Sequence, residues 1–122
     1  MTAIDAETLH SLRERLLGYR KQLQQEIQDE LVREGSSDAI SIAGKVHDAQ
    51  EESISEMLTE LNIAMLSQHQ HELKNLEHAL HLMNAGEYGV CTDCDKPIPL
   101  ARLQANPMAT RCIACQSEYE KN

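Results

Sequence analysis

Two cysteine pairs constrain this chain more than any other feature of its sequence. Cys91 pairs with Cys94 and Cys112 with Cys115, each with the spacing CxxC, and 17 residues separate the pairs; the chain has no other cysteine. This spacing is typical of a zinc site, in which each pair places two sulfurs about 2.3 Å from a shared ion. Four sulfur ligands leave no position for water, so the sequence predicts one structural zinc ion.

Two disulfide bonds are the alternative use of four cysteines. Disulfides belong to oxidising compartments, and residues 1–5 show neither the basic nor the apolar region of a signal peptide. A thioredoxin-like redox pair would need a βαβ context, which the sequence does not show. The cysteines therefore indicate a zinc protein of the cytoplasm.

The composition predicts a protein without a broad globular core. The 122 residues include no Phe, no Trp and three Tyr, so zinc ligation and a long helical seam are expected to hold the chain together. No apolar run approaches the roughly 18 residues of a membrane span. The net charge of −9 argues against phosphate-driven binding of nucleic acid, and we expect no sequence-specific DNA binding and no membrane partner.

The residues before the cysteines have the pattern of two amphipathic helices. All three prolines lie at or after residue 97, so nothing earlier forbids long helices. Helix 1 is predicted over residues 5–34 and helix 2 over residues 48–84. Their apolar positions recur every three or four residues: Leu9, Leu12, Leu16, Tyr19, Leu23, Ile27 and Leu31 in the first, and Ile54, Leu58, Leu61, Met65, Leu73, Leu76, Leu80 and Met83 in the second.

The signals at the helix ends define the connection between them. Gly35 is predicted to end helix 1 in a left-handed conformation. Residues 35–47 are predicted to form a connection, and Asp48 with Glu51 resembles a capping box. Gly86 is the predicted terminator of helix 2. Two such helices pack antiparallel, so the predicted fold class is mainly α: a coiled-coil hairpin over residues 1–85 with its tip near 35–48, then a four-cysteine zinc finger with a short C-terminal helix over residues 86–122.

Acidic residues concentrate at the predicted tip. Residues 26–60 carry ten acidic side chains and two basic ones. The cluster indicates either a solvated surface or a partner that is basic or contains a metal ion. Carboxylates at the end of a helical rod can pair with Arg and Lys or reach a partner's Mg²⁺, which makes Asp48 and Glu51 candidates for contact.

No arrangement typical of catalysis is present. The GxSxG, P-loop and GxGxxG patterns are all absent, so the chain is not expected to be an enzyme. Four histidines, His69, His71, His78 and His81, lie on helix 2. They are read as solvated or flanking the seam, with a second metal site or a pH-sensitive face as the alternative.

The segment from residue 86 to 116 resembles a known family. It reads Gly86-Glu87-Tyr88-Gly89-Val90-Cys91-Thr92-Asp93-Cys94, then Ile98-Pro99, Ala101-Arg102-Leu103, Pro107 and Cys112-Ile113-Ala114-Cys115-Gln116. This pattern is similar to the DksA/TraR C4-type zinc-finger family. The resemblance implies a bacterial transcription regulator that binds RNA polymerase, enters its secondary channel with a coiled coil and brings an acidic tip near the active site.

Two departures from the family qualify what the resemblance implies. The tip motif D-x-x-D-x-A falls on Asp48, Glu51 and Ser53, which are the predicted partner-binding residues. Three positions that are basic in members responding to ppGpp hold Asn75, Asn106 and Gln116 here, with Lys74 and Arg111 nearby. Because a tetraphosphorylated ligand needs compensating charge, weak or absent ppGpp dependence is predicted. A zinc-stabilised coiled-coil adaptor with a partner other than polymerase is the alternative.

Overall fold

The computed structural model describes residues 4–59, 61 and 66–121 and is built from helices. Six α-helices lie within these residues: α1 (Ala6–Glu34), α2 (Ser37–Asp48), α3 (Ile54–Leu58), α4 (Ser67–Ala85), α5 (Leu100–Ala105) and α6 (Ile113–Lys121). No helix in the described ranges is long and apolar enough to cross a lipid bilayer. The predicted fold class, an antiparallel helical hairpin with a four-cysteine module and a short C-terminal helix, is confirmed.

The predicted helix stops are confirmed at both glycines. Helix α1 ends at Glu34 and is followed by Gly35, whose φ is +83°. Helix α4 ends at Ala85 and is followed by Gly86, whose φ is +74°. These backbone angles lie in the left-handed region, which glycine adopts without the steric cost that a Cβ brings.

The predicted connection over residues 35–47 is wrong, because most of it forms α2. Ser36 caps this helix, with its Oγ accepting a hydrogen bond from the amide of Ala39 at 3.1 Å. Four apolar residues of α2 recur at helical spacing and are buried: Ala39, Ile42, Ala43 and Val46. The residues Gly and Ser in α2 do not favour a helix by themselves. Burial of the apolar stripe stabilises this short helix in spite of them.

The predicted start of helix 2 at a capping box of Asp48 and Glu51 is also wrong. Asp48 is the last residue of α2, and the next helix begins at Ile54 with Ser53 as its N-cap. The Oγ of Ser53 accepts from the amide of Glu56 at 3.2 Å. Of the predicted seam positions in helix 2, Met65 lies outside the described residues.

The described residues form two compact units. One contains residues 4–17 and 78–121, and the other contains residues 18–77. In the second unit the buried residues come from all four helices that cross it: Leu23, Ile27, Leu31, Ala39, Ile42, Val46, Ile54, Leu58, Leu73 and Leu76. The boundary predicted at residues 85 and 86 stays a prediction.

Within residues 18–77, α2 runs back along α1. The side-chain amide of Gln24 donates to the carbonyl oxygens of Val46 at 2.6 Å and Ala49 at 3.0 Å. The end of α2 therefore lies beside the middle of α1, about ten residues before Glu34, where α1 ends.

Candidate functional site

The first cysteine pair lies on a tight, hydrogen-bonded turn. The amide of Cys91 donates to the carbonyl of Lys96 at 2.8 Å, and the amide of Asp95 donates back to the carbonyl of Cys91 at 3.0 Å. Asp95 has a φ of +63°, a left-handed conformation that Asp tolerates better than most residues. This turn holds Cys91 and Cys94 on one short loop, as the CxxC spacing predicts.

The second pair lies at the start of α6. Cys112 directly precedes this helix, and Cys115 is its third residue. The amide of Thr92 donates to the carbonyl of Thr110 at 2.9 Å, which ties the first turn to the residues before the second pair. The guanidinium of Arg102 donates through Nε to the carbonyl of Arg111 at 3.0 Å and holds the same segment from α5.

The four sulfurs converge with the geometry of a zinc site. All four Sγ atoms lie within 4.8 Å of one another, and those of Cys94 and Cys112 are 3.8 Å apart. Sulfurs at the corners of a tetrahedron around zinc, with bonds of about 2.3 Å, are about 3.8 Å apart. The four cysteines are free thiols and form no disulfide bond with one another. The donor set and its spacing fit one structural zinc ion, which is the cofactor of this chain.

Two thiols of this cluster, those of Cys91 and Cys115, have pKa values shifted in opposite directions. Burial raises the pKa of Cys91, but the amides of Cys112, Cys94 and Asp93 outweigh it, so that this pKa falls to about 6. The thiol of Cys115 has a raised pKa, chiefly because it is hydrogen-bonded to Cys112 and to the other two sulfurs. Four adjacent thiolates repel one another, so a divalent cation is what allows all of them to be deprotonated together.

The Gly-x-Tyr-Gly segment before Cys91 supports the site. The hydroxyl of Tyr88 donates to the carbonyl of Pro107 at 2.8 Å, and burial raises the pKa of this phenol to about 12. Gly89 has a φ of +92°, and a Cβ built there would lie 2.8 Å from Cδ1 of Ile4. The residues that carried the family resemblance thus anchor the first cysteine turn to the rest of its compact unit.

The predicted partner-binding residues run from Asp48, the last residue of α2, to Ser53, the N-cap of α3. We call residues 48–53 the acidic loop. Asp48 and Glu51 are exposed, whereas Ser53 is half-buried, and its Oγ lies 3.2 Å from Oε1 of Glu77. The loop follows the end of α2 and so lies beside the middle of α1 and not at its carboxyl end. The structure brings the three residues together but does not place them where the chain turns back after α1.

Two residues that hold this loop, Arg20 and Glu77, were missed by the sequence reading. Arg20 donates from Nη1 to the carbonyl of Gln50 at 3.0 Å and from Nη2 to that of Glu52 at 2.8 Å. The seam was predicted to include Tyr19, yet Tyr19 is 38% exposed and Arg20 only 9%. Arg20 follows Leu16 by four residues and precedes Leu23 by three, so a charge inside the apolar stripe was the available signal.

The four histidines of α4 do not assemble into a metal site. In the part of the chain that the structure describes, the cysteine cluster is the one group of ligand atoms close enough to share an ion. His69 lies between two carboxylates of α1, with Nε2 3.3 Å from Glu26 and Nδ1 3.3 Å from Glu30. His71, His78 and His81 are exposed.

Comparison with known proteins agrees with this site. The model of the prokaryotic dksA/traR C4-type zinc finger matches residues 86–121. An uncharacterized 8.2 kDa protein of Escherichia phage P2 is 41% identical over 63 residues, which are 48% of this chain and 82% of that one. The RNA polymerase-binding transcription factor DksA of Caulobacter vibrioides is 37% identical over 49 residues; the match spans 40% of this chain and only 34% of that protein.

A solved structure extends the likeness over nearly the whole chain. The transcription factor DksA2 of Pseudomonas aeruginosa is 30% identical with a TM-score of 0.63, covering 96% of this chain and 86% of that one. The fold and the four-sulfur site define a helical protein stabilised by one structural zinc ion. The chain belongs to the DksA/TraR family.

Proposed function

We propose that this protein regulates transcription by binding bacterial RNA polymerase. The observation that carries the proposal is the likeness to DksA2 of Pseudomonas aeruginosa along 96% of the chain, at 30% identity, with the zinc site included. The relative in Caulobacter vibrioides, an RNA polymerase-binding factor by name, supports the same partner. A cytoplasmic location and the absence of an enzymatic activity of its own follow from this proposal.

The finer proposal concerns how the protein acts on polymerase. In it, the helical hairpin enters the secondary channel, and Asp48 and Glu51 act near the active site, with Ser53 supporting them. Exposure of Asp48, Glu51 and Glu52 on one short loop supports this role. Carboxylates presented together can pair with basic side chains or perturb a bound divalent ion.

We further propose that ppGpp contributes little to this activity. Arg111, a basic residue of the zinc module close in sequence to the expected nucleotide-binding positions, is already engaged. Its Nε lies 2.8 Å from Asp93, and its guanidinium carbon lies 4.0 Å from the centre of the Tyr119 ring. A guanidinium that is paired in this way must break both interactions before it can bind a phosphate, and the free energy of breaking them lowers the net affinity.

One observation favours the alternative of an adaptor with a different partner. The acidic loop lies beside Arg20 and Gln24, in the middle of α1. Side chains there are displaced from the end of the helix, which is the part expected to reach deepest into a channel. An adaptor of this kind would retain the zinc site and the helical hairpin and would bind its partner along the side of the helices.

Competition for polymerase tests the proposal against this alternative. Purified zinc-loaded protein is titrated onto bacterial RNA polymerase in the presence of a known secondary-channel binder. Mutual exclusion is expected. No binding at micromolar concentration, with zinc content and helicity intact, would remove polymerase as the partner and leave the adaptor.

The role of the acidic loop is tested by reversing its charge. The double variant Asp48→Lys and Glu51→Lys is expected to bind polymerase but to lose its effect on open-complex lifetime. The matched control reverses Glu14 and Glu87, two exposed acids outside the loop. Equal losses in both variants would show that net charge matters and that the loop does not.

A further inference from the structure

Arg20 is a buried charge whose hydrogen bonds go to the backbone of the acidic loop. It is 9% exposed, and with Ser55 it makes up the buried polar residues of the described chain. Among the ion pairs found within the described ranges none involves Arg20, and its two terminal nitrogens donate to the carbonyls of Gln50 and Glu52. Burying a cation is costly unless its donors are satisfied, so this arrangement requires the loop to keep both carbonyls turned towards α1.

Glu77 of α4 holds the junction at which the acidic loop passes into α3. Its Oε2 accepts from the amide of Ile54 at 3.0 Å, and its Oε1 accepts from the amide of Ser55 at 3.3 Å and the hydroxyl of Ser53 at 3.2 Å. A carboxylate that accepts backbone hydrogen bonds makes stronger interactions than a neutral acceptor. The loop is thus bound by a cation at the carbonyls of Gln50 and Glu52, and an anion binds the hydroxyl of Ser53 and the first two amides of α3.

These hydrogen bonds determine where the acids of the loop point. The carbonyls of Gln50 and Glu52 face Arg20, the amides of Ile54 and Ser55 face Glu77, and the side chains of Asp48, Glu51 and Glu52 are exposed. Because the backbone fixes the direction of each Cα–Cβ bond, a fixed loop restricts the region of space that its carboxylates can reach. The conformational entropy of ordering the loop is then lost on folding and not on binding.

We propose that Arg20 and Glu77 are positioning residues that preorganise the acidic loop for its partner. Neither residue needs to touch the partner, and both act through the conformation of residues 48–55. The step from loop conformation to transcription rests on the proposed function given above. The step from Arg20 and Glu77 to loop conformation concerns the free protein alone and is tested without polymerase.

The first test measures amide hydrogen exchange in the free, zinc-loaded protein by NMR. Glu77→Ala is expected to accelerate exchange at Ile54 and Ser55 about tenfold, since each amide loses a charged acceptor. Glu77→Gln, which keeps a neutral acceptor, should lie between the wild type and Glu77→Ala. Glu72→Gln on the same helix is the control. Unchanged exchange in Glu77→Ala would overturn the proposal.

Arg20→Lys is the diagnostic variant at the other end of the loop. Lysine keeps the positive charge but lacks the planar fork that spans two carbonyls. We expect faster exchange at the hydrogen-bonded amides of Glu51, Ile54 and Ser55 in Arg20→Lys and more so in Arg20→Ala, with zinc content and helicity unchanged. Lys21→Ala, which removes a neighbouring exposed charge, is the control. If the Arg20→Lys variant protected the loop as well as the wild type does, charge alone would suffice and the positioning role would be wrong.

The second test separates positioning from simple binding. Arg20→Lys is expected to keep its Kd for polymerase within about threefold. At saturating concentrations its maximal effect on open-complex lifetime is expected to fall about tenfold, because the loop reaches its binding position without its wild-type conformation. A loosened loop with full maximal effect would overturn the positioning role. Failure of the wild-type protein to bind polymerase would instead reject the proposed function, and the exchange data would still decide whether Arg20 and Glu77 hold the loop.

Discussion

Ser53 forms the N-cap of α3, with its Oγ accepting a hydrogen bond from the amide of Glu56 and Glu77 as a second partner. Asp48-Ala49-Gln50-Glu51 matches the spacing of a capping box, yet the structure uses Ser53 with Glu56, which has the same spacing five residues later. Both tetrapeptides satisfy the local pattern. What separates them is burial: Ile54 and Leu58, which follow Ser53, are fully buried. The cap that precedes a buried apolar run is the one that forms.

Removal of this cap is expected to destabilise the protein. Ser53→Ala deletes the acceptor of the Glu56 amide and a partner of Glu77, so we expect the free energy of unfolding to fall by about 1–2 kcal/mol. Urea unfolding followed by circular dichroism measures the change. Ser37→Ala, at an exposed position in the first turn of α2, should change stability by less than about 0.5 kcal/mol. A loss as large as that of Ser53→Ala would contradict the assignment of the cap.

Gly18 offers the opposite change in stability. It lies inside α1, and a Cβ added there would meet nothing within 4 Å. Gly18→Ala is therefore expected to raise the free energy of unfolding by about 0.5–1 kcal/mol, because alanine loses less backbone entropy in a helix. Thermal unfolding of this variant beside Gly89→Ala checks the sign. Gly89→Ala should lower stability, since φ at that residue is +92° and Ile4 lies close.

Among the helices, α2 differs most from what the sequence predicts. Its composition of Gly, Ser and Ala favoured a loop, and Gly44 lies in its interior. Three- and four-residue steps link Ala39, Ile42, Ala43 and Val46, and this stripe is buried in the unit of residues 18–77. Tertiary packing outweighs weak helix propensity in a segment of this length.

If α2 packs as a helix, a substitution at one of its buried residues should destabilise the protein, whereas the same substitution in a solvated loop should not. Val46→Ala removes two methyl groups from a side chain with 0% exposure, so we expect a loss of about 1–2.5 kcal/mol in the free energy of unfolding. Ile40→Ala, on the same helix at 46% exposure, is the matched control and should cost about 0.5 kcal/mol or less. Urea unfolding of both variants is the measurement. Equal, small effects would mean that α2 is not packed.

For the whole molecule, the sequence predicted the fold class, the zinc site and the family correctly because each depends on spacing. The cysteine pairs and the apolar periods of α1 and α4 are local patterns, which can be recognised in the sequence without knowledge of the tertiary structure. The course of residues 35–58 was not predictable in this way. It depends on Arg20, Gln24 and Glu77 binding backbone groups 22–32 residues away in the sequence, and such pairings leave no periodic signal.

Loss of zinc is expected to affect the two compact units differently. Chelation removes the ion that joins Cys91, Cys94, Cys112 and Cys115, and these residues belong to the unit of residues 4–17 and 78–121. Hydrogen exchange followed by mass spectrometry should show loss of protection over residues 88–116, because metal binding supplies folding free energy. Protection over residues 18–58 should persist. Global loss of protection in both ranges would contradict this expectation.

The zinc module does not coincide with the stretch of sequence that identifies it. The family pattern covers residues 86–121, but the carbonyl of Gln104 accepts from Nη1 of Arg15 at 2.7 Å, and Gly89 lies against Ile4. A domain graft that transferred residues 86–121 alone would leave behind the start of α1, and with it the hydrogen bond of Arg15 and the contact of Ile4. For protein engineering, the transplantable piece is discontinuous and includes residues 4–17 and 78–85. An exchange of this unit between members of the family therefore needs two crossover points in the sequence and not one.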